Sequence, residues 1–181
     1  RENCTPEHIH SYPGVHETLA QLKEAGHALV ALTNGFAKYQ VPVLEALGLM
    51  QYLAGVYTPE IAGFAKPDAE FFAAVRRDFG LPHLHVGDTV AHDLWGANKS
   101  GAWSVWVYHD LPREIAELPL QERTRHPELL SIIERALAKD LMVSGYPELT
   151  AEDCLPHFVT AEISDLVEIV ELVEGYTEAA Q

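Results

Sequence analysis

Short apolar runs that do not alternate, each ending in a polar turn and each followed by a helix-like segment, set the fold class of this chain. Residues 28–32 (ALVAL) run into Thr33-Asn34-Gly35, residues 84–86 run into Gly87-Asp88, and residues 103–108 form another such run. A strand with one solvated face alternates apolar and polar residues. An unbroken apolar run belongs to a strand covered on both faces, as in a parallel sheet between helices. Between the runs, Val15, Leu19 and Leu22 recur at spacings of four and three inside a helix expected over 13–26 and stopped by Gly26. Further helices are expected over 39–47, 69–79 and 91–100, the first two stopped by Gly48 and Gly80, with a strand over 54–57 and a loop through Lys66-Pro67-Asp68. The pattern predicts an α/β fold: a doubly wound, Rossmann-like parallel sheet flanked by helices. Crossovers should be right-handed, with any ligand site beyond the carboxyl ends of the strands.

Past residue 108 the pattern loosens. Residues 109–157 read as a helical insertion with Leu129, Ile132, Ile133 and Leu137 on one apolar face, followed by a last strand over 158–160 and a closing helix capped by Ser164. The expected organisation is a hinge or tail over 1–12, a core over 13–108, the insertion over 109–157, and a return to the core over 158–181.

Twelve Lys and Arg against 27 Asp and Glu give a formal charge of -15, which repels nucleic acid and anionic membrane surfaces. A phosphorylated ligand would therefore need a local cation, either a metal or a placed Lys. Cys4 and Cys154 are too far apart in sequence to suggest a metal or disulfide framework, which suits a reducing cytoplasm. No run of apolar residues is long enough to span a bilayer, and no signal peptide opens the chain. The first residue is Arg1, which suggests sequence lying upstream.

Three polar groups fall at successive strand ends: Thr33-Asn34-Gly35, Lys66, and Asp88 with Asp93. A Thr hydroxyl beside the N–H groups of a tight Asn-Gly turn suits phosphate oxygens. Lys66 supplies the cation that the acidic surface lacks, and two carboxylates near one strand end suit Mg²⁺ with several retained waters. Each motif also has a plainer reading. Thr-Asn-Gly is commonly only a turn, Asp68 is expected to cap the next helix, and Asp88 could be a carboxylate favoured by a helix dipole. His8 with His10, and His83 with His85, have an HxH spacing without a supporting third ligand nearby in sequence, so zinc is disfavoured. Trp95, Trp103 and Trp106 are expected in the core, and Arg123 to Arg125 with His126 on the solvated surface.

Together, ALTNG, KPD and HVGDTVAHDLWGANKSG resemble the second, third and fourth motifs of the haloacid dehalogenase superfamily, in order and spacing. The resemblance is close over 11–109 and looser over 158–172, and it points to the phosphatase-type, phosphoglycolate phosphatase-like branch. It implies that Thr33, with Asn34 and Gly35, binds phosphate, that Lys66 steadies the nucleophile and phosphate, and that Asp88 and Asp93 hold Mg²⁺. The Gly-Asp-x4-Asp pair favours phosphoryl transfer over carbon–halogen cleavage.

The family's first motif, a pair of aspartates two residues apart of which the first is the nucleophile, has no counterpart here. The first Asp in the chain is Asp68, and Glu2, Glu7, Glu17 and Glu24 follow no apolar strand. In the family that motif ends a central strand, lying between those that here end at Thr33 and Asp88. Its loss would leave two unpaired edges in mid-sheet. The expectation is therefore upstream sequence carrying the nucleophile strand and most of a cap domain, with residues 1–12 as the cap's tail. The leading function is Mg²⁺-dependent hydrolysis of a small phosphorylated metabolite through an aspartyl-phosphate, with this chain inactive alone. The alternative is a non-catalytic binding or interaction module of the same fold. A phospho-receiver domain would have its acidic residues ahead of the Thr and Lys, and neither GxGxxG nor GxSxG occurs.

Overall fold

A computed structural model describes residues 9–80, 83–144 and 148–179. Helix α1 (Val15–Glu24) leads to strand β1 (Leu29–Leu32), helix α2 (Ala37–Ala46) and strand β2 (Leu53–Tyr57). A one-turn helix α3 (Pro59–Ala62) and the longer α4 (Ala69–Phe79) precede β3 (Leu84–Gly87). A π-helical turn, Val90–Leu94, runs directly into α5 (Trp95–Ser100), followed by β4 (Trp103–Val107). Helices α6 (Arg113–Ala116), α7 (Leu120–Arg123) and α8 (Leu129–Ser144) come before β5 (Phe158–Thr160) and α9 (Leu166–Ala179).

Every strand pairing is parallel, so the predicted α/β class holds. The sheet, however, is in two pieces. β1 pairs with β2, and β3, β4 and β5 pair in that order, but among the described residues no ladder joins β1 to β3. Leu29 of β1 and Leu84 and Val86 of β3 line the same cleft, of about 410 Å³, with Val75 and Phe79 of α4 and Val170 and Val173 of α9 around it. The two central edges expected from the sequence face this cleft.

The helices form because their apolar residues fall on one face. On α4, Phe71, Phe72, Ala74 and Val75 are buried while Arg77 and Asp78 stay outside, and Gly80 ends the helix at φ 85°. Asp68 holds the N-cap position with extended backbone, but its side chain makes no capping bond there, contrary to expectation. Ser164 likewise lies inside a short 3-10 turn, Ile163–Asp165, that leads into α9 rather than at a cap.

The described residues of 109–157 include the helices α6, α7 and α8, and the apolar face of α8 turns inward. Leu129, Ile132, Ile133 and Leu137 share one core with Val90, Leu94, Trp106 and Val159. Each such side chain contributes about 1.5–3 kcal/mol when fully buried, so this segment holds β4 and the π-helical turn in place. Arg123 corrects the sequence reading. It is 9% exposed and bonded to Asp165 at 2.7 Å, while Arg125 stays exposed. The Asp165 carboxylate is the partner a buried guanidinium needs, and the Thr160 hydroxyl, donating to it at 2.6 Å, holds it in place. Trp106 is fully buried, and Cys154 is a buried free thiol whose pKa burial pushes up to about 12. Cys4 and His8 lie outside the described residues. No helix among the described residues is long and apolar enough to cross a membrane.

Candidate active site at the strand ends

Thr33 and Asp88 follow the carboxyl ends of the parallel strands β1 and β3, and the loop between α3 and α4 delivers Lys66. Thr33 N–H continues the sheet by donating to Tyr57 O at 3.0 Å. Its hydroxyl accepts the Gly35 N–H at 3.1 Å, which closes the turn. A Cβ on Gly35 would overlap the Gln40 side chain, which would have to swing aside to admit another residue.

Asn34 joins two of the strand ends. Its Nδ2 donates to Lys66 O at 2.8 Å and its Oδ1 accepts Lys66 N–H at 2.7 Å, so both ends of the amide hold the Lys66 backbone. The sequence reading gave Asn34 to the substrate; its described partners are the main chain that positions Lys66.

Lys66 Nζ lies 2.5 Å from Asp93 Oδ1, with the two side chains 13% and 3% exposed. That carboxylate is saturated by protein donors. Oδ1 also lies 2.8 Å from His85 Nε2, and Oδ2 accepts the Thr89 N–H at 3.0 Å and the Thr89 hydroxyl. Burial alone would raise the Asp93 pKa, but the His85 hydrogen bond and the Lys66 charge outweigh it and hold the carboxyl well below the usual range. Gly87 is where this carboxylate approaches the backbone, and a Cβ there would overlap the Asp93 side chain. Asp140 of α8 accepts the Ala91 N–H at 3.1 Å and caps the start of the π-helical turn.

Asp88 differs from Asp93. It is exposed, and its backbone carbonyl accepts the Trp106 indole N–H at 3.1 Å, which fixes the turn that presents it. Its carboxylate suits a hard divalent cation. Among the described residues no three His, Cys, Asp or Glu side chains converge as a complete metal site.

The sequence reading missed His85 and Thr89. The Thr89 link was open to inference, because it lies four residues before Asp93 at a helix start. The His85 link was not, because Asp93 reaches the strand only through the turn that follows β3.

The model of one family, described as haloacid dehalogenase-like hydrolase, matches residues 3–101, more than half of the chain. The chain is 36% identical over 141 residues to glyceraldehyde 3-phosphate phosphatase of Methanopyrus kandleri, covering 74% of this chain and 60% of that protein. It is 35% identical over 107 residues to phosphoglycolate phosphatase of Agrobacterium fabrum, covering 56% of this chain and 46% of that one. The fold is similar to that of a HAD phosphatase from Thermococcus onnurineus, with a TM-score of 0.61 and 22% identity over 88% of this chain and 57% of that chain. The chain thus spans less than two thirds of each of these relatives. The match over residues 3–101 contains all of the strand-end residues, and the chain belongs to the haloacid dehalogenase-like hydrolase family.

Proposed function

We propose that the intact protein is a Mg²⁺-dependent phosphatase of a small phosphorylated metabolite, and that residues 1–181 carry the phosphate and metal half of its site. The observation that carries this reading is a chain of contacts: Asn34, next to Thr33, holds the Lys66 backbone, and Lys66 pairs with Asp93 in the turn that also presents the exposed Asp88. Thr33 and the N–H groups of its turn would take phosphate oxygens, and the Lys66 ammonium would offset charge on phosphate and nucleophile. Of the two carboxylates, Asp88 would bind the metal directly, while Asp93, its oxygens committed to protein donors, would act from behind by holding Lys66. A bound Mg²⁺ would supply charge neutralisation at the transferring phosphoryl group.

The nucleophile would be an aspartate on a strand lying in the cleft between β1 and β3, forming an aspartyl-phosphate that water then hydrolyses. The divided sheet supports this. Among the described residues no ladder pairs the facing edges of β1 and β3 and a buried His83 Nδ1 has no hydrogen-bond partner, and the cleft is lined with apolar side chains. The reading of a non-catalytic module acting through residues 109–157 draws no support from α8, whose apolar face is in the core.

The experiment is Asp88→Asn in the longer protein. We expect Mg²⁺-dependent hydrolysis of an aryl phosphate to fall about 100-fold or more, since a metal ligand is worth several kcal/mol of transition-state stabilisation. Turnover within about threefold of the parent, a difference under 1 kcal/mol, would remove Asp88 from the site.

A further inference from the structure

His85 approaches the Lys66–Asp93 pair from the core side. It sits in β3 between Leu84 and Val86, and because strand residues alternate, its ring faces inward while Val86 faces the cleft and is 38% exposed. His85 is 6% exposed, and its ring stands edge-on to Phe72, with centroids 5.0 Å apart. Nε2 lies 2.8 Å from Asp93 Oδ1, the oxygen that Lys66 Nζ reaches at 2.5 Å.

One oxygen therefore accepts from two side chains on different elements. A carboxylate rotates easily about its last torsion, where the wells are broad. Thr89 pins Oδ2 within the turn, and His85 pins Oδ1 to the sheet, so the plane of the carboxylate is set before Lys66 joins it. Burial lowers the His85 pKa, against the opposing Asp93 hydrogen bond, so the ring is neutral near neutral pH. With Asp93 ionised, the Nε2–H tautomer is the one that completes this bond.

We propose that His85 is a positioning residue: by donating Nε2–H to Asp93 Oδ1 it fixes the carboxylate that aims Lys66 at the reacting phosphate. The role in turnover rests on the phosphatase reading, while the effect on Lys66 does not. A histidine that merely fills the core beside Phe72 would be replaceable by any ring of similar volume, and a positioning donor would not.

His85→Phe keeps the ring and removes the donor, and His85→Gln keeps a donor of similar reach. In residues 1–181, Lys66 is probed by lysine acylation with mass-spectrometric readout, relative to Lys38 and Lys99. We expect Lys66 modification to rise severalfold in His85→Phe and less in His85→Gln, and long-range proton–nitrogen spectra to show the Nε2–H tautomer in the parent. Unchanged Lys66 reactivity or an Nδ1–H tautomer overturns the proposal. In the longer protein, His85→Phe should lower kcat about 10- to 100-fold with KM little changed, and His85→Gln should recover part of it, in line with the cost of small misplacements in a site. Equal losses of kcat in both variants, or a change confined to KM, also overturns it. If Lys66 reactivity responds as expected but Lys66→Met leaves turnover intact, the phosphatase reading fails and the positioning of Lys66 stands.

Discussion

Replacing Asp93 with Asn should expose how much of the strand-end cluster depends on one buried charge. The parent carboxylate accepts from Lys66 and His85 through Oδ1, at 2.5 and 2.8 Å, and from Thr89 through Oδ2. An amide of the same shape has one oxygen, so whichever way it turns, its NH2 meets donors. Lys66, 13% exposed, would lose its carboxylate partner. Breaking a buried ion pair by removing one partner costs about 3–5 kcal/mol, and the remaining access of Lys66 to water puts the loss near the lower end, about 3 kcal/mol. The sign of the pH dependence follows from the depressed Asp93 pKa. Unfolded, this carboxyl titrates near ~3.9, so its contribution is fully present above that pH and is lost as pH falls below it. Urea unfolding of residues 1–181 followed by circular dichroism measures both effects. The gap between parent and Asp93→Asn should be about 3 kcal/mol near neutral pH and should narrow below about pH 4. A gap under about 1 kcal/mol, the range of an exposed pair, or one unchanged down to about pH 3, refutes the reasoning.

Gly87→Ala should destabilise the chain by about 2 kcal/mol, because its Cβ overlaps the Asp93 side chain, and the same urea titration measures it. Asn34→Ala removes two exposed bonds to the Lys66 backbone and should cost only about 1 kcal/mol of stability, while the longer protein should lose more in kcat than that figure implies. His83 is held to a pKa of about 4, by burial first and then by the nearby His85 and Arg76. Its folded pKa lies below the unfolded value of about 6.5, so the stability linked to it is complete above that pH and falls as pH drops toward 4. His83→Phe should flatten the stability profile in that window, as read from melting temperatures.

The parallel α/β class was legible because ALVAL and WSVWV are unalternating, and β1 and β4 form on those runs. Helix α4 was legible because Phe71, Phe72 and Val75 recur on one face and Gly80 ends it. Helix α3 escaped because four residues carry no period, and the π-helical turn escaped because nothing in VAHDL distinguishes it from the first turn of an α-helix. At the site, Thr33, Lys66 and Asp88 could be read from strand ends alone. Roles set by long-range partners could not. The burial of Arg123 depends on Asp165, 42 residues on, and Asn34 turns toward a backbone 32 residues away. His85, dismissed as one half of an HxH pair, gains its partner only when the turn after β3 folds Asp93 back over Gly87. The absence of an Asp-x-Asp motif led to the expectation of two unpaired strand edges, and among the described residues no ladder joins β1 to β3.

In the proposed function residues 1–181 hold the phosphate and metal half of the site, and the nucleophile strand lies between β1 and β3. Steady-state hydrolysis of an aryl phosphate with Mg²⁺, compared between residues 1–181 and the longer protein, tests it most directly. Turnover is expected from the longer protein and none above background from residues 1–181. Robust Mg²⁺-dependent turnover by residues 1–181 alone would contradict it.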